Sequence, residues 1–201
     1  MEQLLPRFRA AHTQVLGISV DSIYCHANWA AGLGGISFPL LADFHPKGEV
    51  GRAHGLYLDG AGIDDRATVI LDAGGTVRHA SSVTPSGRRD IAELAALCEQ
   101  VDREYGQTLP GIAPPPGLPG PGTLFVKSRC GFSQKALLAR ANLHFEDALP
   151  VRNVSEDDAA RRELVERAGG DQAPCLVIGD RVIQESDDIV AFLVAHGTDI
   201  D

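Results

Sequence analysis

Cys130 lies in Val126-Lys127-Ser128-Arg129-Cys130-Gly131-Phe132-Ser133, where an apolar run over 123–126 gives way to a helix-like pattern over 134–141. The spacing puts a thiol at the first turn of a helix, beside the cations Lys127 and Arg129. The unpaired N–H groups and positive dipole end of a helix favour negative charge, and so do two nearby cations. A thiolate is therefore stabilised there, and the chemistry to expect is thiol redox exchange, for which the optimum thiol has a pKa near ambient pH.

The rest of the composition leaves room for that chemistry. With 201 residues, 44% apolar and 22% charged, the chain is long enough for one large or two small cores, and two are expected. A net charge of -9 argues against nucleic acid or an anionic membrane as partner. No segment approaches the roughly 18 apolar residues of a membrane span, and no secretory signal is visible, so a cytoplasmic location is expected. The remaining cysteines, Cys25, Cys98 and Cys175, are too scattered for a zinc motif and no histidine cluster stands near them, so no metal site is expected.

Positioning such a thiol requires strands and helices in alternation. Residues 106–122 are so rich in proline and glycine that they read as a semi-extended linker, dividing the chain into 1–105, 106–121 and 122–201. Ahead of it, strands are expected over 14–20, 38–41, 67–71 and 76–83, the last two flanking a hairpin turn at Asp72-Ala73-Gly74-Gly75. Helices are expected over 23–33, capped by Asp21, over 46–54, and over 88–105, where Ile91, Leu94, Cys98 and Val101 share one face. Beyond the linker the pattern predicts strands at 123–126, 149–154, 176–178 and 181–183, and helices at 134–141, 156–168 with Ser155 as cap, and 187–195. That order, β-α-β-α-β-β-α, is the order of a thioredoxin fold. The first half shows a similar order with an inserted helix, so the fold class is α/β with two thioredoxin-like domains.

Four features after residue 122 resemble glutaredoxins: Lys127 three residues before the thiol, the tetrapeptide Cys130-Gly131-Phe132-Ser133, Gln172-Ala173-Pro174, and Ser186-Asp187-Asp188. The resemblance implies that Cys130 is the nucleophile and that Ser133 replaces a second cysteine. No internal disulfide can then form at the motif, and turnover passes through a glutathione adduct resolved by a second glutathione. The Ser133 hydroxyl can still donate to the thiolate. Pro174 is expected in the cis form, leaving the Ala173 backbone to pair with an extended peptide such as glutathione. The N–H groups of Asp187 and Asp188 suit the γ-glutamyl carboxylate, an aspartate its ammonium, and Lys127 the glycyl carboxylate. Phe132 and Ser186 complete that cradle, with Ser186 alternatively a plain helix cap. Monothiol proteins with this tetrapeptide often hold a [2Fe-2S] cluster between two subunits, the alternative reading; the further loop motifs of those carriers are absent here.

The first half resembles peroxiredoxins of the thiol-specific antioxidant type, in residues 14–22, His26-x-x-Trp29, Phe38 to Asp43, Arg66 to Asp72 and Gly87-Arg88. Arg66 corresponds to the active-site arginine that stabilises the catalytic thiolate and polarises peroxide, a task suited to a permanently charged group with several donors. The Pro-x-x-x-Thr/Ser-x-x-Cys motif of the peroxidatic cysteine occurs nowhere in the sequence. A true start upstream of Met1 is the favoured expectation, and a descendant without peroxidase chemistry, serving as a dimerisation platform, the alternative. Cys25 and Cys98 read as core or interface residues, and Cys175 as buried, with a resolving role as its alternative. Asp64-Asp65 reads as a solvated turn. The resemblances together imply a peroxiredoxin-glutaredoxin hybrid acting on glutathionylated or disulfide substrates, with peroxiredoxin subunits as partners and a homodimer through the N-terminal domain.

Overall fold

The computed structural model describes residues 1–199. The chain divides into two compact units: residues 1–26 with 38–114, and residues 27–37 with the chain from Pro115 onward. No helix among the described residues is long and apolar enough to cross a membrane.

In the second unit, strand β7 (Gly122–Val126) lies inside a four-stranded sheet. It pairs parallel with β8 (Val151–Asn153) and antiparallel with β9 (Cys175–Ile178), which in turn pairs with β10 (Arg181–Ile183). Strand β7 reads as an unbroken apolar run because both faces are covered. Leu124 and Val126 pack with Ala136 of α5 (Gly131–Asn142) and with Ile189, Phe192 and Leu193 of α7 (Ser186–Gly197). Phe125, one residue out of phase, packs with Ala160 and Leu164 of α6 (Asp158–Ala168) on the other face. Fully burying one such side chain contributes on the order of 1.5–3 kcal/mol, so these two layers hold the strand that leads to Cys130.

Two capping expectations are corrected. Helix α6 starts at Asp158, and Asp157, not Ser155, accepts the N–H groups of Ala159 and Ala160 at 2.8 and 3.1 Å. A carboxylate oxygen also complements the positive helix end, which a hydroxyl does only weakly. Helix α7 begins at Ser186 itself, preceded by Glu185, and no side chain caps it.

In the first unit, α1 (Leu5–Ala10) packs on α4 (Ile91–Tyr105), with Phe8, Ala11, Ile70, Ala95 and Cys98 forming the core. Helix α4 starts at Ile91, the first residue of its apolar face, rather than at the expected 88, because Asp90 caps it through Ala92 and Glu93. Helix α2 (Ile23–Gly32) is capped by Ser22, whose Oγ accepts the Cys25 N–H at 3.3 Å, rather than by Asp21. The helix expected over 46–54 contracts to α3 (Glu49–Ala53), whose Val50 and Gly51 N–H groups are held by buried Asp43.

The strands of this unit stand in separate pairs: β1 (Gly17–Ser19) with β2 (Leu40–Ala42), the unforeseen hairpin β3 (Tyr57–Leu58) with β4 (Ile63–Asp64), and β5 (Ala67–Leu71) with β6 (Val77–Ser82). The expected turn joins the last two, with Asp72 accepting from the Gly74 and Thr76 N–H groups and Gly75 at φ +82°. Where β7 has a neighbour on each side, β1 and β5 have one each. Their apolar side chains are correspondingly open: Ile18 is 47% and Leu71 57% exposed.

The linker has no regular structure, yet it is held at both ends. Gly111, Ile112 and Pro114 lie over a depression lined by Pro6, Arg9, Ala10 and His12 of the first unit. In the second, the Gly117 N–H donates to the His196 carbonyl at 2.9 Å and Leu118 packs on the core.

Candidate active site

Cys130 occupies the residue before α5, in extended conformation, and its carbonyl takes the Gln134 N–H at 2.9 Å. The Ser133 N–H and then the Ser133 hydroxyl hold its thiol below the ordinary pKa against the opposing effect of burial, and the Phe132 N–H and the Lys127 charge add smaller contributions in the same direction. Ser133 is 1% exposed, and its Oγ accepts the Lys127 N–H at 3.0 Å, which leaves the hydroxyl proton for the sulfur. The site is therefore a thiolate holder built from one helix turn.

The other residues singled out in the sequence fall around this turn to differing degrees. Lys127 directly follows β7 and acts electrostatically on both Cys130 and Asp171. Phe132 is largely exposed. Pro174 follows a cis peptide from Ala173 and leads directly into β9, whose Cys175 stands in register with Phe125 of β7. Asp187, in the first turn of α7, pairs with Lys135 of α5, a contact its neighbours in sequence did not announce. Ser186 is buried at the opening of α7.

The remaining thiols differ from Cys130 in the sign of their shift. Burial pushes Cys175 up to about 11. Cys98 is also raised, first by burial. Of the core or interface role expected for Cys25, the core position is not observed: it is exposed on α2, where its Sγ donates to Asp21 Oδ1 at 3.6 Å. Partial desolvation and the Asp21 carboxylate keep that thiol above its ordinary value. No group of three His, Cys, Asp or Glu side chains among the described residues is arranged to hold a metal ion.

Arg66 stands just before β5, exposed, with its carbonyl accepting the Val83 N–H at 3.2 Å. Arg89, which the sequence motifs did not single out, lies close to it. Its Nη2 donates to the Ala67 carbonyl at 2.7 Å, its Nε is buried without a protein partner, and burial and the Arg66 charge lower its pKa. The Arg88-Arg89 pair after Gly87 was the available signal. Asp64 also departs from expectation. It is no solvated turn residue: the β3–β4 hairpin places both carboxyl oxygens in the interior without partners, against Gly51, where a Cβ would meet Oδ1 at 2.1 Å.

Residues 1–80 match the model of the AhpC/TSA family, and residues 123–183 match that of Glutaredoxin. The chain thus joins a segment similar to the AhpC/TSA family to one similar to glutaredoxins. Among similar curated proteins, alkyl hydroperoxide reductase E of Mycobacterium tuberculosis is 40% identical over 86 residues, which cover 43% of this chain and 56% of the relative. The selenocysteine-containing peroxiredoxin PrxU of Peptoclostridium acidaminophilum is 31% identical over 133 residues, covering 57% of this chain and 64% of the relative. Among solved structures, Mycobacterium tuberculosis AhpC aligns with a TM-score of 0.46 at 29% identity, over 50% of this chain and 59% of that one. The chain thus spans between half and two thirds of the length of these relatives. Both families are oxidoreductases.

Proposed function

We propose that the glutaredoxin-family domain is a glutathione-dependent disulfide reductase with Cys130 as its nucleophile. The observation that carries this reading is the place of Cys130 at the opening of α5, directly ahead of Phe132 and of buried Ser133, whose N–H and hydroxyl hold its thiol below the ordinary pKa while the other three thiols are shifted the opposite way. The Cys130 thiolate attacks the glutathionyl sulfur of a mixed disulfide, the S–S bond breaks, and the substrate sulfur leaves as a thiolate that takes a proton from water. Cys130 is left disulfide-bonded to glutathione. Because Ser133 has no sulfur to attack that bond, the thiolate of a second glutathione does so, releasing glutathione disulfide and restoring the Cys130 thiolate. One free glutathione is consumed per turnover, its sulfur pairing with the glutathionyl group taken from the substrate in the glutathione disulfide that leaves.

Binding would use the Ala173 backbone beside the peptide, Lys127 toward the glycyl carboxylate, and the opening of α7 at Ser186 and Asp187 toward the γ-glutamyl end, with Phe132 along the exposed rim. For the AhpC/TSA-family segment we infer a place in peroxide reduction, with Arg66 and Arg89 as the cations that would serve a peroxidatic thiolate. A glutaredoxin domain tethered through residues 106–121 would meet the glutathionylated form of that cysteine at high effective concentration. A cytoplasmic setting and a homodimer through the N-terminal segment belong to the same reading.

The test is Cys130→Ser. It should abolish glutathione-dependent reduction of a glutathionylated peptide, while Cys25→Ser and Cys98→Ser retain it; equal loss in all three refutes the assignment. Anaerobic reconstitution with iron, sulfide and glutathione addresses the carrier alternative. A brown dimer with visible absorption supports it, and a colourless active monomer supports the reductase.

A further inference from the structure

The chain leaves β7 at Val126 and must enter α5 at Gly131, and it makes the turn through Arg129 at φ +55°. That is a left-handed state which glycine adopts freely and an arginine does not. Something has to offset the strain, since no glycine precedes the nucleophile. The contacts lie on Ser128, and they come from the last residue of β8 and the loop that leads from it to α6. The Ser128 N–H donates to Ser155 Oγ at 3.2 Å, and Asn153 Nδ2 donates to Ser128 Oγ at 2.7 Å. Ser128 Oγ in turn donates to the Glu156 carboxylate. Asn153 Oδ1 closes the bracket by accepting the Ser155 N–H at 3.0 Å. The two loops meet because β7–β8 pairing continues past the strand ends, with the Val154 N–H on the Val126 carbonyl at 2.9 Å. Ser155 and Asn153 are available for this because Asp157 performs the capping of α6.

We propose that Ser128, Asn153 and Ser155 are positioning residues of the nucleophile, holding Arg129 in the left-handed state that sets Cys130 on the first turn of α5. The inference rests on Cys130 being the reactive thiol of the disulfide reductase. Relaxing Arg129 to an ordinary negative φ rotates the peptide that follows it, and the Cys130 side chain swings away from the Phe132 and Ser133 donors. The charges around the sulfur, Lys127 and Arg129 ahead of it, Glu156 across the loop and Asp171 beyond Lys127, are unchanged by a neutral substitution in the bracket. What changes is the aim of the sulfur.

The measurement is the pH dependence of Cys130 alkylation by iodoacetamide in the whole chain, a readout that needs no glutathione. Ser128→Ala and Asn153→Ala should each raise the midpoint by about one pH unit, or about tenfold in rate well below it, on the scale of one charge-assisted hydrogen bond. Ser128→Thr, which keeps the hydroxyl, should stay at the wild-type midpoint. Asp157→Ala serves as the structural control, since it removes the cap of α6 without touching Ser128. If the bracket variants move the midpoint no further than Asp157→Ala does, the positioning role is overturned even where both lower the melting temperature. A wild-type midpoint equal to that of an ordinary thiol would remove the reductase reading as well, so the two failures are told apart by which protein shows them.

Discussion

Ser133→Ala isolates the one side chain that supports the sulfur directly. The hydroxyl is the one side-chain hydrogen-bonding group that lowers the Cys130 pKa, and Ser133 is almost wholly buried. A hydrogen bond to a charged group contributes roughly 1.5–3 kcal/mol, equivalent to about 1–2 pH units of thiol acidity. The sulfur is partly open to water, which recovers some of that loss, so the expected rise is about one pH unit, at the low end of this range. Iodoacetamide rates measured from mildly acidic to alkaline pH give the midpoint directly, with the ultraviolet absorbance of the thiolate as a second reading. At pH values well below both midpoints the variant should react about ten times more slowly. A midpoint that stays in place, or falls, would refute the argument that Ser133 donates to the thiolate. The linkage has a definite sign. The folded thiol lies below its unfolded value, so its contribution to stability is present above the unfolded pKa and is lost as pH falls through the folded one; Ser133→Ala narrows that window.

Leu164→Ala empties the α6 face of the sheet, where Leu164 is fully buried beside Phe125 and Ala160, and should cost about 2–5 kcal/mol, seen as a lower urea midpoint at unchanged slope. Asp64→Asn tests the unpartnered carboxyl: burial, then the Asp43 and Asp21 charges, raise its pKa. Its stabilising contribution is present at low pH and is lost as pH rises from the unfolded carboxyl value through the folded one. The Asp64→Asn variant should therefore gain melting temperature relative to wild type as pH rises through that interval; parallel curves would show that Asp64 keeps its ordinary acidity.

Most of the second unit was legible in the order of its residues, because there each signal is local. An apolar run with both faces buried, a turn at Gly179-Asp180 and helices with one apolar face put β7, α5, β9, β10 and α7 within a few residues of where they lie. The first unit was less legible. Its strands contract to two or three residues where pairing ends, as at β1 and β2, and pairing is a property of the partner strand rather than of the strand's own residues. The caps misread in the sequence, Ser155 for Asp157 and Asp21 for Ser22, failed for a related reason: several oxygen-bearing side chains stood within reach of each helix start, and only the backbone path selected between them.

Residue order alone marks which thiol is set apart, because the end of a strand, two cations and the start of a helix are all written within a few residues of Cys130. How that thiol is aimed and kept acidic is a matter of tertiary packing. Arg129 is left-handed through a bracket reaching from Ser128 to Asn153, Ser155 and Glu156, up to 28 residues away. Packing also brings Arg89 to Arg66 and leaves Cys25 open. Local propensity depends on neighbours in the chain, whereas these arrangements depend on which segments the sheet brings side by side, and that is settled only when the strands pair.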